Sequence, residues 1–138
     1  QGYVVDTFET ATDWSNVDHL MAKIEATMRD GLKAENEKVH VFTHLSHVYS
    51  QGCSLYTTYV YRNANSYSTT LARWKKLKHQ ASLTIVNNGG TISHQHGVGK
   101  DHAPYLSVEK GELGMKVLVN LAEHFDAKQQ LNPGTLLQ

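Results

Sequence analysis

With a single cysteine, Cys53, among 138 residues, the chain cannot form an internal disulfide, and its core must hold by packing alone. The lone thiol fits a reducing compartment. Neither sign of charge prevails: thirteen Lys and Arg balance thirteen Asp and Glu. The densest basic run, Lys75-Lys76-x-Lys78, falls in a predicted helix and reads as its solvated face. The electrostatic footprint of a nucleic-acid binder is therefore missing. No apolar run approaches the ~20 residues that span a bilayer, and no leader with a charged start and an apolar middle opens the sequence. A soluble protein is expected. There is no internal repeat and no low-complexity segment. Gly97-Val98-Gly99-Lys100 lacks both the upstream glycine and the following Ser/Thr of a nucleotide-triphosphate loop, which removes that reading.

What is present is enough apolar residue, 40%, for one core but not for two independent ones. The first residue is Gln and the chain runs at once into strand-like Tyr3-Val4-Val5-Asp6-Thr7-Phe8, so it is expected to be a piece of something longer. Residues 3–10 are rich in β-branched and aromatic side chains. Val17, Leu20, Met21, Ile24, Met28 and Leu32 recur at three- and four-residue steps, predicting an amphipathic helix from Val17 to near Asn36. Strands are predicted over 38–43 and 54–61, separated by the Ser50-Gln51-Gly52 turn. A second helix over 68–87 places Leu71, Trp74, Leu77, Ala81 and Ile85 on one face and stops at Asn88-Gly89. A third, over 109–125, carries Leu113, Val117, Leu121 and Phe125. The order β-α-β-β-α predicts an α+β fold, a ferredoxin-like antiparallel sheet covered by helices, followed by a C-terminal helix and tail. The apolar tail beyond Pro133-Gly134 is expected to dock on another surface.

One segment has the composition of a site. Asn88-Gly89-Gly90-Thr91-Ile92-Ser93-His94-Gln95-His96-Gly97-Val98-Gly99-Lys100 combines four glycines with two imidazoles one residue apart. Glycine permits positive φ and close approach of a ligand to the backbone, and the imidazoles place ionisable groups at one spot. His44 and His47 could join His94 and His96 around zinc, but no carboxylate or thiolate accompanies them in the sequence, and Gln95 is a poor ligand. No metal is expected.

The loop from Gly89 to Gly99, a helix containing Gly111 and Gly114-Met115, and the ending Phe125-Asp126…Leu131-Asn132-Pro133-Gly134-x-Leu136-Leu137 together resemble the C-terminal part of FAD-linked oxidases of the vanillyl-alcohol oxidase superfamily. The resemblance is nearest to its alkyldihydroxyacetonephosphate synthase branch. The opening Phe8-Glu9-Thr10-Ala11-x-x-Trp14 and the strand Gly52-Cys53-Ser54-Leu55-Tyr56 fit that branch too, so nearly the whole chain is covered.

The resemblance implies that residues 1–103 are part of a substrate or cap domain, and that 104–138 dock on an FAD-binding domain upstream in the same chain. It implies FAD as cofactor and, as the reaction, exchange of the acyl group of acyl-dihydroxyacetone phosphate for a long-chain alcohol, without net redox change. The branch reads His-His-His-Gly where this chain has His94-Gln95-His96-Gly97, so an amide replaces the middle imidazole. Tyr56 matches its acid–base tyrosine. Catalytic roles are thereby implied for Tyr56, His94 and His96, and cofactor contacts for Gln95, Gly97, Gly99 and Asn132. The related 2-hydroxy-acid dehydrogenases carry Gly-Glu-His-Gly and a second histidine, where this chain has Gln95 and Tyr56, and they use a metal; the departure favours the metal-free branch. An FAD-linked oxidase or dehydrogenase of a 2-hydroxy acid or alcohol is the alternative. The implied partners are a small-molecule or lipid substrate and the upstream flavin domain. A peripheral membrane contact and a homodimer of the full-length enzyme are left open.

Overall fold

The computed structural model describes residues 2–137. Three strands, β1 (Tyr3–Asp13), β2 (His40–Val48) and β3 (Gly52–Arg62), form one antiparallel sheet in the order β1-β3-β2. Helices α1 (Val17–Asp30) and α2 (Tyr67–Asn87) cover one face, and α3 (Ala103–Phe125) follows the glycine-histidine loop. This is the expected α+β sheet-and-helix architecture. The strand order is that of the first three strands of a ferredoxin-like unit; among the described residues no fourth strand joins it, because α2 leads into the loop instead.

Period-two alternation decides which side chains meet the helices. Phe8 of β1 and Leu55, Tyr59 and Tyr61 of β3 point into the core with Leu20, Ile24 and Met28 of α1 and Leu77, Ala81 and Ile85 of α2, all nearly inaccessible. Glu9 and Tyr56, paired across β1 and β3, therefore face the other side. A polar clamp fastens α2 to the sheet: Asp6 Oδ2 accepts from Tyr59 Oη at 2.9 Å and from Trp74 Nε1 at 2.7 Å, with Lys78 Nζ at 3.1 Å. Burial alone would raise the Asp6 pKa, but these donors hold it below its ordinary value. Burial and the same carboxylate push the Tyr59 hydroxyl pKa well up.

Two helices differ from their periodicity. The first ends at Asp30, not near Asn36, because the chain turns through Gly31, a short 3-10 turn (Lys33–Glu35) and left-handed Asn36; Leu32 still reaches the core from outside the helix. The third starts at Ala103, six residues before the periodic stretch, with Pro104 in the first turn where its missing N–H costs nothing. Gly111, at φ 65° and ψ 176°, breaks it into two helical stretches.

The loop is fixed by the free edge of β1. Thr91 N donates to Ala11 O and His94 N to Glu9 O, both at 3.0 Å, while Thr10 Oγ1 donates to Thr91 O at 2.7 Å. The segment thus pairs with an edge that would otherwise expose backbone groups. Glu109 of α3 secures it from the far side, accepting from Ile92 N at 2.7 Å and Thr91 Oγ1 at 3.1 Å. The approach requires Gly90, where a Cβ would stand 2.6 Å from Thr10 Oγ1 and 2.9 Å from Leu20 Cδ2. Gly90→Ala is expected to cost about 1–3 kcal/mol in urea unfolding, the usual penalty for overpacking; a variant as stable as the parent would mean that the loop does not need this contact.

Candidate functional site

A glutamate lies at the centre of the site. Glu9, in the middle of β1, has only 3% of its side chain exposed, yet it is charged and faces away from the core. The donors around it compensate its burial. Ser46 Oγ donates to Oε1, His47 Nδ1 stands 3.3 Å from the same oxygen, and Ser54 Oγ lies 2.6 Å from Ser46 Oγ. His94 Nδ1 is also 3.3 Å from Oε1, off the line of a hydrogen bond, and His96 Nε2 is 3.5 Å from Oε2. Burial pushes the Glu9 pKa up, but the hydrogen bonds from Ser46 and His47, with Ser54 and His94 close by, outweigh it and hold the carboxyl below its ordinary value.

Local backbone features deliver these groups. Between Leu45 and Val48 the β2–β3 register slips by one residue, since Leu45 opposes Leu55 whereas Val48 opposes Cys53. Such a bulge re-aims side chains, and here it turns the consecutive Ser46 and His47 toward one carboxylate. In the loop, His96 N donates to His94 O at 2.8 Å around Gln95, whose φ of 60° is unusual for a residue with a Cβ. This three-residue turn folds the loop so that both flanking imidazoles reach Glu9. Gly97 and Gly99 follow with φ of 76° and 57°, and nothing lies within 4 Å of where a Cβ would sit at either. The space on the side-chain side of both is open, although their carbonyls accept from Ser93 Oγ and Leu136 N.

Tyr56 lies beside this cluster. Its ring stacks on His44 at 5.2 Å and meets the edge of His96 at 5.6 Å, and its hydroxyl donates to Thr7 Oγ1 at 3.2 Å. On the other flank, Tyr49 Oη lies 3.0 Å from His94 Nε2. The structure therefore brings Tyr56, His94 and His96 together around Glu9. Gln95, Gly97 and Gly99 form the exposed rim. Asn132 lies apart, in an exposed tail turn with φ 47°, although the tail returns to the loop where Leu136 N donates to Gly99 O at 3.1 Å.

Sequence reasoning missed Glu9, Ser46, Ser54 and Tyr49. A weak signal for Glu9 was there, an acid in the middle of a strand otherwise rich in apolar and Thr residues, but Asp6 and Asp13 share that strand and nothing local singles Glu9 out. The expectation that no carboxylate accompanies the histidines fails for the same reason: one ligating atom from each of Glu9, His47 and His94 falls within 4.8 Å of the others. That spacing would admit a divalent cation. A cation there would compete with the contact between His47 Nδ1 and Glu9 Oε1.

The whole defines a class: an α+β domain with a buried carboxylate, ringed by imidazoles and phenols, on the helix-free face of its sheet. The family model described as FAD linked oxidases, C-terminal domain, matches residues 1–136, and the chain belongs to that family. It is 26% identical over 132 residues to alkyldihydroxyacetonephosphate synthase of Trypanosoma brucei brucei and 27% identical over 133 residues to that of Dictyostelium discoideum, each alignment covering 96% of this chain and 21% of the relative. The chain spans about a fifth of the length of these relatives. A shorter match, 42% identity over 48 residues, links it to the glycolate oxidase subunit GlcD of Bacillus subtilis. A solved alkyldihydroxyacetonephosphate synthase structure superposes with a TM-score of 0.63 at 22% identity, covering 96% of this chain and 20% of that one, which establishes the likeness of fold. The family read from the loop and tail motifs is borne out.

The depressed Glu9 pKa fixes the sign of a pH effect. A carboxyl whose pKa is lower folded than unfolded contributes stability above its ordinary value, 4.5 for Glu, and loses it as pH falls through the folded value. Asp6 and Glu109 are depressed in the same sense. Unfolding free energy measured in urea at stepped pH should accordingly fall below about pH 4.5, and Glu9→Gln should make that fall shallower. A parent protein that gained stability on acidification would contradict the assignment.

Proposed function

We propose that this chain is the C-terminal part of an FAD-dependent enzyme of the alkyldihydroxyacetonephosphate synthase type, which exchanges the acyl group of acyl-dihydroxyacetone phosphate for a fatty alcohol. The observation that carries this reading is the convergence of Tyr56 and His96, edge to ring at 5.6 Å, beside a buried carboxylate and a loop with free space at its glycines. The rim suits a flavin: Gln95 offers an amide, the free space at Gly97 and Gly99 allows close approach, and Asn132 belongs to the tail that returns to Gly99. When bound, the flavin would supply an electrophile that activates the substrate carbon from which the carboxylate leaves and to which the alcohol adds. The chain's own residues move protons. Tyr56 serves as acid or base toward the substrate's α-proton and hydroxyls, and His96, held over Glu9 Oε2, and His94 accept or return them. The reading assigns no metal to this chemistry.

In the full-length enzyme, Tyr56→Phe and His96→Ala are expected to lower turnover ~100- to 10,000-fold with FAD retained, and Gln95→Ala to do less, since an amide orients neighbours but carries no mobile proton. Near-parental rates in both would return these side chains to a packing role. Flavin absorbance tests the reaction class. Substrate added without oxygen should leave the oxidised band intact during exchange; bleaching would identify the oxidase or dehydrogenase of a hydroxy acid, the outcome to which the glycolate oxidase match points.

The same reading divides the chain into residues 1–103, a part of the substrate domain, and 104–138, which dock on the flavin domain. Supporting it, Leu113, Phe125 and Leu131 are 75–78% exposed, with Val117 and Leu121 half-exposed on the same helix. Amides of Leu131, Leu136 and Leu137, which are hydrogen-bonded but lie in the largely exposed tail, should exchange hydrogen faster in the 138-residue chain than in the full-length enzyme. Equal exchange in both would remove the docking. Association with a membrane surface and dimerisation of the full-length enzyme are compatible with a lipid substrate.

A further inference from the structure

Tyr49 enters none of the roles above, yet it is held as firmly as the residues that do. Its backbone N donates to Gly52 O at 2.8 Å, and its carbonyl accepts from the Trp14 indole at 3.1 Å. Trp14 N in turn donates to Gln51 O at 3.0 Å, so the β2–β3 turn is tied to the end of β1. That junction tolerates only glycine at position 52, where a Cβ would lie 2.0 Å from Thr12 O. Beyond the backbone, the ring stacks parallel to His47 at 6.4 Å and meets the His94 ring edge-on at 5.8 Å. Its hydroxyl ends 3.0 Å from His94 Nε2, while the residue as a whole is 46% exposed. A phenol is thus anchored at its base and open to solvent at the mouth of the site.

The opposite nitrogen of His94 completes the arrangement. Nδ1 is buried, lies 3.3 Å from Glu9 Oε1, and among the described atoms has no aligned hydrogen-bond partner. A carboxylate can only accept, so a proton on Nδ1 is the protonation that satisfies both groups, and it leaves Nε2 with the lone pair that receives the Tyr49 proton. The order is hydroxyl, imidazole, carboxylate, the logic by which an acid residue fixes a histidine tautomer so that its far nitrogen can take a proton.

We propose that Tyr49, His94 and Glu9 form a proton relay in which Tyr49 is a second proton-exchanging hydroxyl of the site and Glu9 is the positioning residue. As Tyr49 Oη takes a proton from a substrate O–H or C–H acid, its own proton passes to His94 Nε2, and the imidazolium so formed faces the Glu9 charge. The return step reverses both transfers, so no proton is gained or lost over the cycle. Ser46 and His47, turned inward by the bulge, keep Glu9 ionised and oriented. The inference rests on the reading of this site as the proton-handling part of a flavoenzyme, and it adds to that reading a phenol on the flank opposite Tyr56.

The test uses the full-length flavoenzyme with 15N-labelled histidine. The nitrogen shifts of His94 are expected to report a proton on Nδ1 and a bare, hydrogen-bonded Nε2 in the parent, and a mixed or inverted tautomer in Glu9→Gln. Tyr49→Phe should keep the fold and the flavin, lower kcat about 100-fold and leave KM within about twofold, because it removes one transferable proton and little binding surface. A parent His94 carrying its proton on Nε2 would overturn the relay, as would a Tyr49→Phe enzyme with near-parental kcat. So would a stoichiometric divalent cation retained by the purified enzyme, since Nδ1 cannot both donate to Glu9 and bind a metal. If Glu9→Gln fails to fold, the parent tautomer and the Tyr49→Phe kinetics decide alone. The tautomer needs no turnover, so failure of the relay and failure of the exchange reaction are read separately.

Discussion

A single carboxylate on the wrong side of a strand organises this molecule. Glu9 sits where β1 turns away from the hydrophobic core, and its near-complete burial would be costly without donors. Those donors come from three separate parts of the chain: Ser46 and His47 from the β2 bulge, Ser54 from β3, and His94 and His96 from the loop after α2. Ser54 faces the carboxylate by ordinary alternation along β3, whereas the other two groups approach because the local backbone departs from regularity, by a slipped register in β2 and a three-residue turn around Gln95 in the loop. The deviations become intelligible once the charge they surround is placed at the centre.

The same constraint explains why the loop is ordered at all. A glycine-rich stretch has much conformational freedom to lose. It is held at its start by pairing with the β1 edge, by the Glu109 carboxylate from α3, and by the close fit of Gly90 under Thr10 and Leu20. Past His96 the carbonyls of Gly97 and Gly99 are held by Ser93 Oγ at 2.8 Å and Leu136 N at 3.1 Å, while the space where a side chain would stand at either glycine stays free. Held imidazoles followed by glycines with open space above them are what the proposed proton handling and flavin contact require of this one loop. The exposed apolar residues of α3 and the tail lie downstream of it, on elements whose burial the sheet does not provide.

Much of the architecture was legible in the sequence because it follows from short-range rules. The three- and four-residue steps of Val17, Leu20, Ile24 and Met28 marked α1, and the strand propensity of 54–61 marked β3. The glycine-histidine loop announced itself by composition, and its motifs led to the right family. Boundaries were less legible. The extension of the third helix back to Ala103 depends on Pro104 occupying a helix start, and the arrest of the first at Asp30 goes with the 3-10 turn over Lys33–Glu35 and left-handed Asn36.

Local periodicity, turn chemistry and motif composition determined the elements and their order and singled out His94 and His96 as candidate site residues, since each of these is a property of neighbours along the chain; Tyr56 became a candidate only through the family resemblance. Only the tertiary structure decided that Glu9 is their centre and that Ser46, His47, Ser54 and Tyr49 surround it. Glu9 is separated from Ser46 by 37 positions and from His94 by far more, and no local pattern encodes such a meeting. The cause is the pairing of β1 with β3, the one-residue bulge in β2 and the closure of the loop on the β1 edge, which together convert distant residues into one hydrogen-bonded cluster.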